Sequence, residues 1–482
     1  MAKLPPSMIL TFFVATTPTL FAQDPHDEEI FGGPAAAPAT AEPPSTFPPA
    51  SAEKPQSSSL ETSLADRLQI GGRLDWGTTM TEKDGTSFAK GEFRQTRRAD
   101  IYFDSRTDDG RSSPYGLRGV RGFFRLRFLD ESPPPVRSPE INPRTLVDEL
   151  WFKNDFRRQV FFTVGRQHLK WGSGRLWNPT DFPAAESRDP FALFDARLGQ
   201  DLVKVHIPFE KGGHNLYLIL DTHQVARTDD AALLGRGELS LGTSSELALS
   251  IRKSRKGPDK LGLDWSGALG PFDLYTETAL VRRSSQIQYS GSVLPVATSN
   301  LPTASTLELP TAAPRQEKTF RQSVVGVQYG LKYQDDDTIT FTLEYFYNER
   351  GYKKRDLGLY ALARGQETPL TVGRQAVGFF VQAPSPGSWN DLTLALSGIK
   401  NLVDFTSTTR LSASYSLFKE LTLQTYINRC FGDVGALCFR IPEAFKQLAA
   451  DPRLSAEDRA LLGQLPSKRT LTVMGVNFVL NL

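Results

Sequence analysis

From Leu64 to Leu482 the apolar and polar residues alternate with period two along many short stretches. In Arg98–Arg106, Ala99, Ile101 and Phe103 alternate with Asp100, Tyr102 and Asp104. In Val324–Tyr333, Val325, Val327, Tyr329, Leu331 and Tyr333 alternate with Gly326, Gln328, Gly330 and Lys332. Ile339, Phe341, Leu343, Tyr345 and Tyr347 do the same against Thr340, Thr342 and Glu344. Side chains on a strand point to opposite faces in turn, so each stretch predicts a strand with one apolar and one polar face. No run of about 18 apolar residues follows the first few dozen positions, which excludes a membrane helix there. Strands of roughly ten residues repeated in this way predict a transmembrane antiparallel β-barrel.

Eighteen such strands can be placed, from 66–79 to 468–481, and short connections near 255 and 401, with a long turn at 106–117, leave sixteen as the alternative. A long connection at 80–94 comes first; after the second strand, turns such as NDFRR, FEKGG, GTSS and QDDD alternate with further long connections at 131–145, 171–198, 284–319, 349–373 and 430–467. Short periplasmic turns and long external loops alternate in this way in outer-membrane barrels. No fixed internal repeat marks a propeller. The last stretch, LTVMGVNFVLNL, also alternates to the chain end.

The start of the chain reads differently. Lys3, an apolar run from Met8 to Val14 and a small residue at Ala22 predict a signal peptide over 1–22. Residues 23–63 are rich in Pro, Ala and Ser, and predict a disordered periplasmic tether. The barrel is expected to occupy 64–482.

Charge sharpens the picture of the interior. The 56 Lys and Arg residues nearly balance 54 Asp and Glu, which argues against a nucleic-acid partner. In VRGFFRLRFLD, Phe124, Leu126 and Phe128 share one face, and Arg121, Arg125 and Arg127 share the other. An arginine facing mid-bilayer costs about 2–4 kcal/mol, so these three are expected to line the lumen. In VFFTVGRQHLK, the parity that turns Arg166, His168 and Lys170 inward places Phe161, Leu169 and Trp171 outward and Phe162 and Val164 in the lumen. Asp100, Asp104 and Asp148 would add carboxylates to the same region.

Catalytic and metal chemistry find little support. Only five His occur, with no Gly-x-Ser-x-Gly elbow or paired-acid motif beside them, so neither an enzyme nor a bound cofactor or metal is expected. Cys430 and Cys438, in CFGDVGALC, are expected to form a local disulfide in an exported protein. Ser455 and Asp458 fit a helix-start pattern within the last long loop.

The phrase GRQHLKWGSGRLWNPTDF resembles one that recurs in porin-like and alginate-export-like barrels, where it ends a strand and enters an outer loop. The resemblance implies an outer-membrane channel for small hydrophilic solutes, with the bilayer as a partner and a homo-oligomer as a possible assembly. Export of a polymer and a purely structural or adhesive barrel are the alternatives. The segment 171–198 falls in the third long connection, the one that folds into the barrel of general porins. Its Asp181, Glu186, Asp189 and Asp195, with Arg175 and Arg197, are then expected to narrow the pore opposite Arg121, Arg125, Arg127, Arg166 and Lys170. Trp171 is expected near the membrane interface.

Overall fold

The computed structural model describes residues 68–85, 87, 90–112, 117–133, 143–184, 189–191, 197–223, 225, 227, 230–284, 286–291, 294–295, 307–308, 310–313, 318–333, 337–432, 435–438, 456, 459, 468 and 470–482. The expected signal peptide and tether, and Glu186, Asp195, Ser455 and Asp458, lie outside them.

Eighteen antiparallel strands form one sheet. They are β1 Leu68–Lys83, β2 Glu92–Ser112, β3 Leu117–Ser132, β4 Arg144–Phe156, β5 Val160–Gln167 and β6 Gln200–Phe209. There follow β7 His214–Asp221, β8 Ala232–Leu241, β9 Ser245–Lys253, β10 Asp259–Leu269, β11 Phe272–Arg282 and β12 Phe320–Lys332. The last six are β13 Thr338–Asn348, β14 Gln375–Pro384, β15 Leu392–Asn401, β16 Ser407–Ser416, β17 Leu421–Phe431 and β18 Thr470–Asn481. Each strand pairs with its sequence neighbours, and β18 returns to β1 with Phe478 opposite Trp76. Closure leaves no unpaired edge, which a bilayer requires because nothing in its core can hydrogen-bond to an open strand. The count is eighteen, since both short connections near 255 and 401 join full strands.

Every even-to-odd connection is a short turn, and the odd-to-even ones include all the long loops. The segment 106–117, expected as a long turn, is mostly strand, because β2 runs on to Ser112 and β3 begins at Leu117. The loop after β13 contains a helix that the strand pattern did not predict, α1 Arg355–Ala363, buried along nearly its whole length.

The outward faces carry the apolar residues. Phe152 is 59% exposed, Leu233 58% and Val325 57%, and similar residues ring the barrel from Ile70 to Val476. A soluble protein rarely exposes so continuous an apolar surface, whereas lipid demands it. Among the described residues no helix is long and apolar enough to cross a membrane. The buried carboxylates and guanidiniums instead face inward.

Candidate functional site: a loop folded into the lumen

The β5 strand sets up the site. Phe162 and Val164 are exposed on the outward face, not in the lumen as the simple parity implied, and Thr163 is buried inside. The alternation runs on through Gly165, whose φ of +125° is open to glycine and strained for other residues, to buried Gln167, so Arg166 shares the outward parity of Phe162 and Val164 and not the inward one expected. The chain leaves the strand after Gln167 and turns inward.

Trp171, expected at the membrane interface, is only 3% exposed and lies inside the barrel with Phe182 against Leu202, Ile219, Leu234, Ala279 and Val281. Leu176 and Trp177 pack on a second cluster with Tyr275, Val324 and Phe346. The Trp177 ring stacks on Phe346 at 5.3 Å between centroids.

Two wall carboxylates hold the main chain of this loop. Glu344 on β13 accepts N–H groups from Arg175 at 2.6 Å, Leu176 at 2.9 Å and Trp177 at 3.2 Å. The Tyr275 hydroxyl donates to the same carboxylate at 2.6 Å. Glu277 on β11 accepts from the N–H of Gly174, and from the N–H and hydroxyl of Thr180 at 3.2 and 2.8 Å. A carboxylate can accept about four hydrogen bonds, so each of these buried anions is neutralised by convergent donors. The Trp-Gly-Ser-Gly sequence follows from this closeness. A Cβ on Gly174 would lie 2.0 Å from the Trp177 carbonyl oxygen and 3.0 Å from Glu277 Oε1.

Further contacts reach round the ring. Arg127 on β3 donates to the Arg197 carbonyl at 3.3 Å, and Arg252 on β9 to that of Phe182 at 3.1 Å. Arg410 on β16 donates to the Phe191 carbonyl. Anchors on β3, β9, β11, β13 and β16 place the segment within the lumen. The 349–374 connection joins it, because the Trp177 indole donates to the Leu370 carbonyl at 3.1 Å.

The wall arginines stand differently from the expected arrangement of basic wall against acidic loop. Arg127 bonds Asp148 at 2.7 Å and lies 3.4 Å from Asp100, which pairs with it in register across β2 and β3. Arg121 bonds Asp104 at 2.9 Å, and Arg125 lies 3.4 Å from Glu149. Adjacent inward positions thus neutralise one another within the wall. A register shift in the β3–β4 ladder opposite Asp148 leaves both Asp148 and Glu149 buried, so one more carboxylate joins the network. His168 Nε2 is 3.0 Å from Asp148, and Arg166 pairs with Asp201 at 2.8 Å.

Within the loop, Asp181 lies 3.5 Å from Arg197 and accepts the Trp171 N–H at 3.0 Å. Burial raises its carboxyl above the usual range, against the pull of Arg197. Asp189 accepts the Phe191 N–H at 2.9 Å. Between loop and wall lies a cavity of about 160 Å³ whose charged lining is Lys170, Arg175, Arg197 and Lys260, with Asp181. Among the described residues, four cations and one carboxylate border it.

Sequence reasoning brought Lys170, Arg175, Asp181 and Arg197 into one neighbourhood. It missed Glu277, Glu344 and Lys260. The available signal was an ionisable residue at an inward position between neutral neighbours, as in LYTET and FTLEYF. At the loop mouth Cys430 and Cys438 form a disulfide with Cα atoms 5.7 Å apart.

No family model matches this chain, and no curated protein matches it. Among solved structures it is similar to a triple mutant of the Rhodopseudomonas blastica porin, at 11% identity and a TM-score of 0.39, over 86% of this chain and 100% of that one. It is also similar to Pseudomonas aeruginosa OccK5 (OpdH), at 9% identity and a TM-score of 0.46, over 86% and 98%. By its own architecture the chain is a membrane β-barrel closed by eighteen antiparallel strands, with residues 171–182 of the connection after β5 packed inside it.

Proposed function

We propose that this protein is an outer-membrane channel for small hydrophilic solutes, and that the segment 168–199 is its constriction. The observation that supports this reading is the hydrogen bonding of main-chain N–H groups between Gly174 and Thr180 to Glu277 and Glu344. A barrel of this size is wide enough for water unless something fills it, so an infolded loop sets the width of the path.

The lining supports a preference for anions. Lys170, Arg175, Arg197 and Lys260 border the cavity beside the loop, and rings of charged side chains set selectivity in channels. The reading differs from an acidic loop facing a basic wall, because Arg121, Arg125 and Arg127 are bonded to carboxylates of their own wall. An infolded loop also opposes polymer export, which needs a wide lumen.

Planar-bilayer recording tests the proposal. The wild-type protein is expected to conduct in small steps, with a reversal potential in a salt gradient that favours anions. Deleting 175–195 is expected to enlarge the step. Unchanged conductance and selectivity in that deletion would remove the loop from the path.

A further inference from the structure

We propose that the outward face at the loop end of β12–β14 binds the phosphate of an outer-leaflet lipid headgroup through Arg321, Tyr347 and Arg374. The inference rests on the reading of the barrel as a membrane protein.

Arg321 and Tyr347 share the parity of the outward residues Val325, Phe341, Leu343 and Tyr345. The Arg321 guanidinium carbon lies 5.1 Å from the Tyr347 ring centroid, and that of Arg374 lies 5.6 Å from the same centroid. Arg374 Nη2 also donates to the Tyr347 hydroxyl at 3.1 Å. One phenol therefore holds two guanidiniums together and keeps its own O–H free to donate. Neither arginine forms an ion pair with a described carboxylate. Glu349, the nearest acid in sequence to Tyr347, accepts the main-chain N–H of Arg321 at 2.9 Å. Exposed Arg282 continues the basic row on β11, and Asp259, its ladder partner, is held by Arg283 and Lys253.

Height supplies the identity of the ligand. At the other end of the same strands Phe272, Tyr329 and Phe341 form an aromatic row, with centroids 5.3 and 6.4 Å apart. Arg321 stands eight positions from Tyr329 along β12. That is about 27 Å of strand, or roughly 20 Å of height at the usual tilt. A hydrocarbon belt is about 25 Å tall, so a row at its lower rim puts the Arg321 backbone about 5 Å short of the upper rim, a gap that a snorkelling arginine side chain spans to reach the headgroups. Guanidiniums match phosphate oxygens with paired donors, and two of them on one aromatic ring are preorganised for it.

The test uses the full chain refolded in non-ionic detergent, with heat-modifiable gel migration to verify the barrel and native mass spectrometry to count bound lipid. Diphosphoryl lipid A is the probe, and its dephosphorylated form is the comparison. We expect one tightly held equivalent on the wild type, binding weakened roughly 10- to 30-fold in Arg321→Gln/Arg374→Gln at about 1 kcal/mol per cation, and a smaller loss in Tyr347→Phe. Arg157→Gln/Arg158→Gln, in the short turn after β4, is expected to bind as wild type does. Equal binding of the dephosphorylated lipid, or equal weakening by both double variants, would overturn the proposal while leaving the membrane reading intact. Failure of the folded barrel to enter vesicles at all would overturn both.

Discussion

Glu344 Oε1 lies 2.6 Å from the amide nitrogen of Arg175, a residue 169 positions earlier in the chain. The two residues bring a wall strand and an infolded loop into direct bonding, and the loop's position depends on that carboxylate. Hydrogen bonds to a charged group contribute about 1.5–3 kcal/mol each. Glu344→Gln keeps the shape but aims an amide at donors. We expect it to leave the barrel folded and to make single-channel current noisy, with brief larger openings. Quiet current of wild-type amplitude would exclude Glu344 as the anchor.

Gly174→Ala tests the same fit from the loop side. A methyl group would overlap the Trp177 carbonyl and press on Glu277, so the turn must open. The expected result is a conductance above wild type at unchanged heat-modifiable migration. A folded variant with wild-type conductance would show that the turn absorbs a methyl group without moving.

Lys260→Gln and Arg197→Gln probe the cavity lining. Each removes one of four cations around a single carboxylate. We expect the reversal potential in a tenfold salt gradient to move toward the cation side in both, and further in the double variant. Arg197→Gln also removes the partner of Asp181, so its effect includes a looser loop. Three unchanged reversal potentials would detach selectivity from the cavity.

The connection after β13 carries a pH response. Burial raises the Glu367 carboxyl to about 7, against the pull of Arg350 and a hydrogen bond from Thr371. The folded form thus holds a proton that the opened form has released by about pH 5. Stability of this connection therefore falls as pH rises between the two values and is greatest below them. Hydrogen-exchange protection factors over 349–374, taken relative to the intrinsic rate at each pH, are expected to be higher at pH 5.5 than at pH 8, and Glu367→Gln is expected to abolish the difference. A pH difference that persists in the variant would assign the response to another group.

The barrel was legible because its rule is local. Leu343 and Glu344 are adjacent, one faces lipid and the other the lumen, and a period of two records that choice at every strand. Short turns such as NDFRR mark one end of the barrel for the same reason. The loop was legible only as a place. Its glycines and tryptophans stood out, but Trp171 was expected outside because the opposite parity was assigned to β5 and carried past Gln167, where the strand ends.

Sequence by itself determined the strand pattern, the long and short connections and the inward placing of Arg121, Arg125 and Arg127. Those follow from the parity of neighbouring residues and from the cost of charge in lipid. Tertiary structure alone decided which charges meet. Arg127 finds Asp100 and Asp148 because ladder register and the register shift beside Asp148 set them side by side. Glu277 and Glu344 find the loop because closure of the sheet turns their strands toward β5 across the lumen. Ring closure relates residues by angle around the barrel, a quantity that no local spacing encodes.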